Sequence, residues 1–167
     1  MGLWVYSYLY NNMGEDDEFL DIAGKTRDFL VGNFKAENGM WNETVKRDGT
    51  LIQGVSTNIL GWLHAANGLT EFYRATDNDE DRDIVFETVW AALRNYDAIG
   101  YEGIGNNGGI AMDIPLRGLR KLDHSATVIT ALSNFLSDMN SRRFEEELAL
   151  HISHVTESSF NPKVGVL

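Results

Sequence analysis

The chain has 167 residues, of which 43% are hydrophobic and 11% aromatic, as expected for one globular domain with a buried core. Its net charge of −11 argues against nucleic acid as a partner, because phosphate contacts need clustered Lys or Arg. It has no cysteine, which excludes disulfides, thiolate nucleophiles and cysteine-based metal sites.

The first predicted element is a helix of roughly residues 2–12, which contains the apolar stretch LWVYSYLY. This stretch is short, has no basic flank and has no cleavage pattern, so it predicts neither a signal peptide nor a membrane span. We therefore expect a soluble, cytoplasmic protein with no membrane partner.

Five further segments have a helical period, at residues 16–32, 54–75, 81–95, 122–138 and 142–158. No segment keeps a period-two alternation, so the predicted fold class is all-α. Two long glycine-rich segments, 34–53 and 97–120, separate these helices, and long loops inside compact domains are usually functional. The first of them could hold a short hairpin, GMWNETVKRDG.

Three apolar pairs recur at one spacing near the ends of predicted helices: Leu9-Tyr10, Phe72-Tyr73 and Phe135-Leu136. The spacing is 72 − 9 = 63 and 135 − 72 = 63 residues. A polar break, an amphipathic helix and an aromatic residue follow each pair. A glycine and an apolar residue come next: Gly39-Met40, Gly103-Ile104 and Gly165-Val166.

This period of about 63 residues predicts a repeat architecture of three αα-hairpins within a single domain, residues 1–167. We expect the first, third and fifth helices in an inner layer and the other three in an outer layer. Consecutive hairpins of this kind can stack into an open solenoid or curl into a ring, and the period alone does not choose between them.

Several of these stretches resemble the N-acylglucosamine 2-epimerase superfamily. LWVYSYLYNN, EFLDIAGKTRDFLVGNF and ENGMWNETVKRDG look like the start of its second repeat. HAANGLTEFYRATDND and LDHSATVITALSNFL are similar to its next two inner helices. The resemblance implies an (α/α)6 barrel around a sugar-binding cavity and a C2-epimerase or aldose–ketose isomerase activity. Six such units need more than twice this length, so it implies about half of a toroid, an open arc of three hairpins.

The resemblance also assigns site residues. His64 matches a position that faces the sugar cavity, and His124 matches a catalytic histidine of the family. Histidine can take and return a proton near neutral pH, so two bases on opposite faces of an enediolate would invert a stereocentre. Trp41, Trp62 and Tyr6 could stack against a sugar ring. These residues and a carbohydrate ligand are our predicted site. The alternatives are that His64 is a core histidine, that His124 helps to cap its helix, and that the three aromatic residues belong to the core.

This sequence departs from the family pattern at three partner positions. Thr127 replaces an acidic residue, Leu60 replaces an asparagine, and an arginine position falls at Met1. The second catalytic histidine of the family belongs to its last repeats, which have no counterpart here. We therefore expect an incomplete epimerase domain without turnover. The alternative is a non-catalytic hairpin module that binds a saccharide or a protein.

Other patterns are weaker. A glycoside hydrolase on this fold would need two opposed carboxylates. The loop acids placed for that role are Glu43, Asp48, Glu102 and Asp113. GIGNNG at 103–108 lacks the strand and the acidic partner of a dinucleotide site, so we expect no cofactor. We expect no metal either, because His151 and His154 have no third ligand in the sequence and are typical of exposed helix positions.

Half of a toroid would leave the first helix uncovered at one end. Leu3, Trp4, Tyr6 and Leu9 would then be exposed, and large apolar patches on soluble proteins usually mark interfaces. The simplest cover is a second copy of the chain, so we expect a homodimer through exposed end faces.

Overall fold

The computed structural model describes residues 2–99 and 122–158. The chain forms two compact units, Met1–Leu93 and Arg94–Leu167. The first unit contains α1 (Gly2–Met13), α2 (Asp17–Phe34), a 3-10 turn (Glu37–Gly39), β1 (Asn42–Val45), β2 (Leu51–Val55), α3 (Ile59–Thr76) and most of α4 (Asp79–Ile99). The second contains the end of α4, α5 (Leu122–Leu136) and α6 (Arg142–Ser158).

All six predicted helices are present within a few residues of their expected bounds, and the all-α class is confirmed. Within the described residues, the sequence analysis did not predict the 3-10 turn or β2, which runs from the end of the expected loop 34–53 into the first two residues of the expected helix 54–75. It pairs antiparallel with β1, with Asn42 opposite Val55 and Thr44 opposite Gln53. Every residue of β2 is exposed, so no burial alternation marks it as a strand.

Helix starts and stops follow local capping chemistry. Asp16 caps α2 by accepting a hydrogen bond from the backbone N–H of Glu18 at 2.9 Å. Asn58 caps α3 in the same way through the N–H of Leu60 at 3.1 Å. These side chains satisfy N–H groups that a helix leaves without a partner in its first turn. Asp77 ends α3 with a left-handed backbone conformation, φ 51°.

The core of the first unit is built around α3. Helix α1 packs against both α2 and α3. Leu3 is only 3% exposed, so the prediction that it belongs to an uncovered face is wrong. The reason is Gly68 on α3, where a Cβ atom would lie 3.4 Å from the Leu3 side chain. Trp4 on the same helix is exposed, at 36%.

Helices α2 and α4 are linked by an ion pair that is largely shielded from solvent. Arg27 Nε donates to Asp81 Oδ1 at 2.6 Å, and its Nη2 donates to Glu80 at 2.7 Å. Burial raises the pKa of Asp81, although the hydrogen bond from Arg27 opposes that shift. Such a pair fixes the relative position of two helices more than it adds to stability, since desolvation offsets the charge attraction.

Gly39 lets the 3-10 turn lie directly on α4. Its φ is +75°, and a Cβ built there would lie 2.3 Å from the backbone oxygen of Glu87. Glycine is the residue that tolerates both conditions. The glycine of the first repeat therefore has a structural reason, whereas Gly103 and Gly165 lie outside the described residues.

In the second unit, α5 packs against α6. Phe135 and Phe144 meet edge to face, with ring centroids 5.0 Å apart and an interplanar angle of 90°. His151 is 2% exposed, so its interpretation as an exposed helix histidine is wrong. It lies on the face of α6 that carries Phe144 and Val155, both of which are buried. The side chain of His154 lies outside the described set.

Candidate functional site

A cleft of about 210 Å³ lies in the first unit, where the end of α2, the base of the hairpin and the start of α3 meet. Its lining combines apolar and polar side chains: Leu30, Phe34, Trp41, Asn42, Glu43, Ser56, Asn58, Gly61, Trp62 and Ala65. Drug-sized ligands occupy about 300–1,000 Å³, so this cleft suits something smaller, such as one sugar ring. We call it the hairpin cleft.

Trp41 anchors the hairpin side of this cleft. Its indole Nε1 donates to Thr88 Oγ1 on α4 at 3.0 Å, and its backbone oxygen accepts from the N–H of Ser56 at 2.8 Å. The side chain is 3% exposed. Trp41 therefore forms a fixed wall, held by α4 on one side and by the strand that leads into α3 on the other.

A chain of three polar side chains links the hairpin to the start of α3. Ser56 Oγ donates a short hydrogen bond to Glu43 Oε2 and accepts from the backbone N–H of Asn58 at 3.0 Å. Asn58 in turn caps α3. Glu43 is thus positioned by the helix start itself, and its other carboxylate oxygen can accept from a ligand hydroxyl.

Trp62 lies on α3 and is 1% exposed. Its indole Nε1 is buried, and no described residue accepts a hydrogen bond from it. A buried donor without an acceptor costs about 1–3 kcal/mol, and this one is enclosed by the packing of the first unit.

His64 is exposed on α3, which excludes the core-histidine interpretation. It lies three residues after Gly61 and directly before Ala65, both of which line the hairpin cleft. Residues three apart share one helix face, so His64 follows Gly61 on one face of α3, although His64 does not itself line the cleft.

The remaining predicted site residues lie elsewhere. Tyr6 is half-buried on α1, with its ring centroid 6.4 Å from that of Phe19, and does not line the hairpin cleft. His124 lies in the first turn of α5, and its side chain is outside the described set. The structure therefore brings together Trp41 and Trp62 in the hairpin cleft, and His64 is not part of its lining.

The sequence analysis missed Ser56 and Asn58 as members of the cleft. Asn58 carries a readable signal, a capping residue directly before an apolar helix. The pairing of Ser56 with Glu43 has no such signal, because it depends on the register of two strands.

The acids proposed for a hydrolase are not paired in the described residues. Glu43 is the one carboxylate that lines the hairpin cleft there. Asp48 lies in the exposed hairpin turn, where the backbone N–H of Thr50 donates to it at 3.0 Å and lowers its pKa. A lowered pKa keeps Asp48 ionised, which does not suit a general acid. Glu102 and Asp113 lie outside the described residues.

Within residues 2–99 and 122–158, no three His, Asp or Glu side chains come together as a metal-binding group. No helix in those ranges combines the length and the apolar character that crossing a bilayer requires.

Three solved structures are similar to this chain. A sugar epimerase from a ruminal bacterium has a TM-score of 0.77 at 16% identity, over 97% of this chain and 43% of that one. A cellobiose 2-epimerase from Bacillus thermoamylovorans has a TM-score of 0.71 at 16% identity, over 96% and 43%. A cellobiose 2-epimerase from Spirochaeta thermophila has a TM-score of 0.69 at 16% identity, over 96% and 42%.

The fold is that of part of a sugar epimerase. The resemblance to this superfamily is thereby confirmed as a likeness of fold, and the chain spans about 43% of the length of the epimerase from the ruminal bacterium. No protein-family model matches the sequence. No curated protein sequence matches it either.

Proposed function

We propose that this chain is part of a carbohydrate epimerase or isomerase and that it binds a sugar at the hairpin cleft. The observation that carries the proposal is a small cleft with fixed polar groups at the start of α3, one helical turn from the exposed imidazole of His64. The epimerase fold supports this choice of ligand.

In this proposal the cleft orients the sugar through a few fixed contacts. The Glu43 carboxylate, held by Ser56, accepts from a sugar hydroxyl. Trp41 contributes an apolar wall. These are the features of a small-molecule site, which is mostly apolar with few placed polar groups.

Catalysis requires proton transfer next to a carbonyl, which histidine can perform near neutral pH. By the family resemblance His124 is one base, and a second base is needed on the other face of the enediolate. The departures at Thr127 and Leu60 remove partners that the family uses. We therefore propose that the 167-residue chain binds a saccharide without epimerising it.

Thermal unfolding with a panel of mono- and disaccharides tests binding. A ligand that binds only the folded state raises the melting temperature by mass action. We expect a rise that depends on saccharide concentration and that His64→Ala or Glu43→Gln reduces. Lys25→Ala, an exposed change on α2, is the matched control and should keep the full rise. An unchanged melting temperature across the panel contradicts the proposal.

Product analysis by chromatography tests turnover. We expect no conversion of N-acetylglucosamine, N-acetylmannosamine or cellobiose by the 167-residue chain. Conversion that disappears in His124→Ala would show that the chain is itself an active enzyme.

A further inference from the structure

A second cleft lies at the opposite end of α3 and takes no part in the function proposed above. Its volume is about 470 Å³, within the range of about 300–1,000 Å³ for small-molecule sites. It is lined by the last turns of α1 and α3: Tyr8, Tyr10, Asn11, Asn12, Glu15, Glu71, Arg74 and Ala75. We call it the distal cleft.

The floor of the distal cleft is a buried carboxylate. Glu71 is 4% exposed. Its Oε1 accepts from Asn11 Nδ2 at 2.8 Å, and its Oε2 accepts from Arg74 Nη1 at 2.6 Å. The same Asn11 amide also donates to the backbone oxygen of Glu71 at 3.0 Å. Both partners of the carboxylate are therefore fixed before any ligand arrives, and pre-organised polar groups lose little entropy on binding.

The rim of the distal cleft carries polar groups that form no hydrogen bond with any described residue. They are the hydroxyls of Tyr8 and Tyr10, the side-chain oxygens of Asn11 and Asn12, and the carboxylate of Glu15. Neutral hydroxyls and amides, together with carboxylates, suit a ligand that presents many hydroxyl groups.

An aromatic surface completes the cleft. The Tyr8 ring stacks on Trp4, with centroids 5.0 Å apart and an interplanar angle of 19°. This contact holds the Tyr8 ring in one orientation, and the ring is 39% exposed. A sugar ring presents C–H groups that pack well against an exposed aromatic surface.

The charged side chains of the distal cleft favour a neutral ligand over an anionic one. Two carboxylates, Glu15 and Glu71, line the cleft against one guanidinium, that of Arg74. The negative charges of these carboxylates repel an anion, so a phosphate or carboxylate ligand is disfavoured. A neutral ligand meets no such penalty.

We propose that the distal cleft is a separate binding site for a neutral saccharide. Its residues lie about ten positions along α3 from those of the hairpin cleft, which corresponds to roughly 15 Å along the helix axis. A single sugar ring therefore cannot contact both clefts, and the two sites can be tested independently.

Backbone amide shifts of the 15N-labelled full chain, titrated with cellobiose, test this proposal. We expect shifts at residues 8–15 and 71–75 in the wild-type chain and in His64→Ala alike. Asn12→Ala and Tyr8→Ala should each weaken binding at these amides at least fivefold, and Lys25→Ala should leave it unchanged. Asn12 is exposed and bonds only the backbone oxygen of Tyr8 at 2.9 Å, so its replacement leaves the fold intact.

Two further probes define the ligand class. Glucose 6-phosphate should bind the distal cleft several-fold more weakly than glucose, and spermidine should not shift residues 8–15. Equal or tighter binding of the phosphate, or a spermidine response, overturns the neutral-saccharide assignment. Cellobiose shifts confined to residues 41–65 would overturn the distal site and leave the hairpin-cleft proposal standing. Shifts confined to residues 8–15 and 71–75 would overturn the hairpin-cleft proposal and leave the distal site standing.

Discussion

The two ends of α3 are held in place by different kinds of interaction. At the hairpin end, the chain relies on close backbone approach at Gly39 and on hydrogen bonds such as Trp41 to Thr88. At the distal end, Asn11 of α1 donates to the Glu71 carboxylate of α3, which also forms an ion pair with Arg74 of the same helix. Close packing therefore stabilises the hairpin end, and charge stabilises the distal end. Substitutions at the two ends should lower the free energy of unfolding with different dependence on salt.

The largest effect is expected for Gly39→Ala. A left-handed backbone costs a non-glycine residue about 1–2 kcal/mol, and displacing the turn from α4 adds an overpacking cost of similar size. We expect a loss of about 3 kcal/mol in the free energy of unfolding, measured by urea denaturation. Gly24→Ala on α2 is the matched control, because nothing lies within 4 Å of its added Cβ. That control should be neutral or slightly stabilising, and equal losses in the two variants would contradict the steric explanation.

A smaller loss is expected for Glu71→Ala, at about 2 kcal/mol. Hydrogen bonds to a charged group contribute about 1.5–3 kcal/mol to stability. The Arg74 side chain is 28% exposed, so solvent weakens its bond to Glu71 and we expect a loss below the upper end of that range. The loss should shrink in 1 M salt, because screening weakens the charge attraction that the variant removes. Asp21→Ala, which breaks the exposed pair with Lys25, should change stability by less than about 0.5 kcal/mol. A salt-independent loss would show that packing, rather than charge, holds the distal end.

A loss of about 1 kcal/mol is expected for Trp41→Phe, which removes the buried hydrogen bond to Thr88 and keeps an aromatic ring. A double-mutant cycle with Thr88→Val isolates this bond, because both partners are changed. We expect a coupling energy near 1 kcal/mol that does not vary with salt, unlike the Glu71 effect. Strictly additive losses would mean that the hairpin is held by packing alone.

The smallest effect on stability is expected for Trp4→Glu, within about 0.5 kcal/mol, because Trp4 is 36% exposed. Its effect on association should be larger if the predicted homodimer forms through the exposed face of α1. We expect a dimer of the wild-type chain at micromolar concentration and a monomer of the variant, measured by sedimentation equilibrium. Phe86→Glu, at an exposed position on α4, should leave the dimer intact. A monomeric wild-type chain over that range would exclude the homodimer.

The sequence predicted the helices well because each has an amphipathic period, and α2, α3 and α4 begin at the capping residues Asp16, Asn58 and Asn78. The sequence analysis also noted a glycine at the same place in each repeat. At Gly39 the backbone angle and the contact with α4 explain why glycine is needed. The sequence analysis did not predict β2, because LIQGV lies across the boundary between the expected loop 34–53 and the expected helix 54–75 and shows no alternation of apolar and polar residues.

The candidate site was predictable only in part. Trp41 and Trp62 were predicted as aromatic rings that could stack on a sugar, and both line the hairpin cleft. Glu43 and Ser56 are thirteen residues apart and meet only because β1 and β2 pair in one register. No local pattern specifies that register when both strands are short and β2 is exposed on all sides.

The exposure of β2 has a consequence for handling the protein in solution. Its Leu51, Ile52 and Val55 side chains are 54%, 59% and 47% exposed, and the strand carries no charge and no proline. β1 covers one edge, and within the described residues the other edge has no neighbouring strand. Natural sheets commonly protect such an edge with a lysine or a proline, and an unprotected one can template cross-β growth. Concentrated samples should therefore form fibrils fastest through this strand, and Ile52→Lys should delay their nucleation while leaving the helical core unchanged.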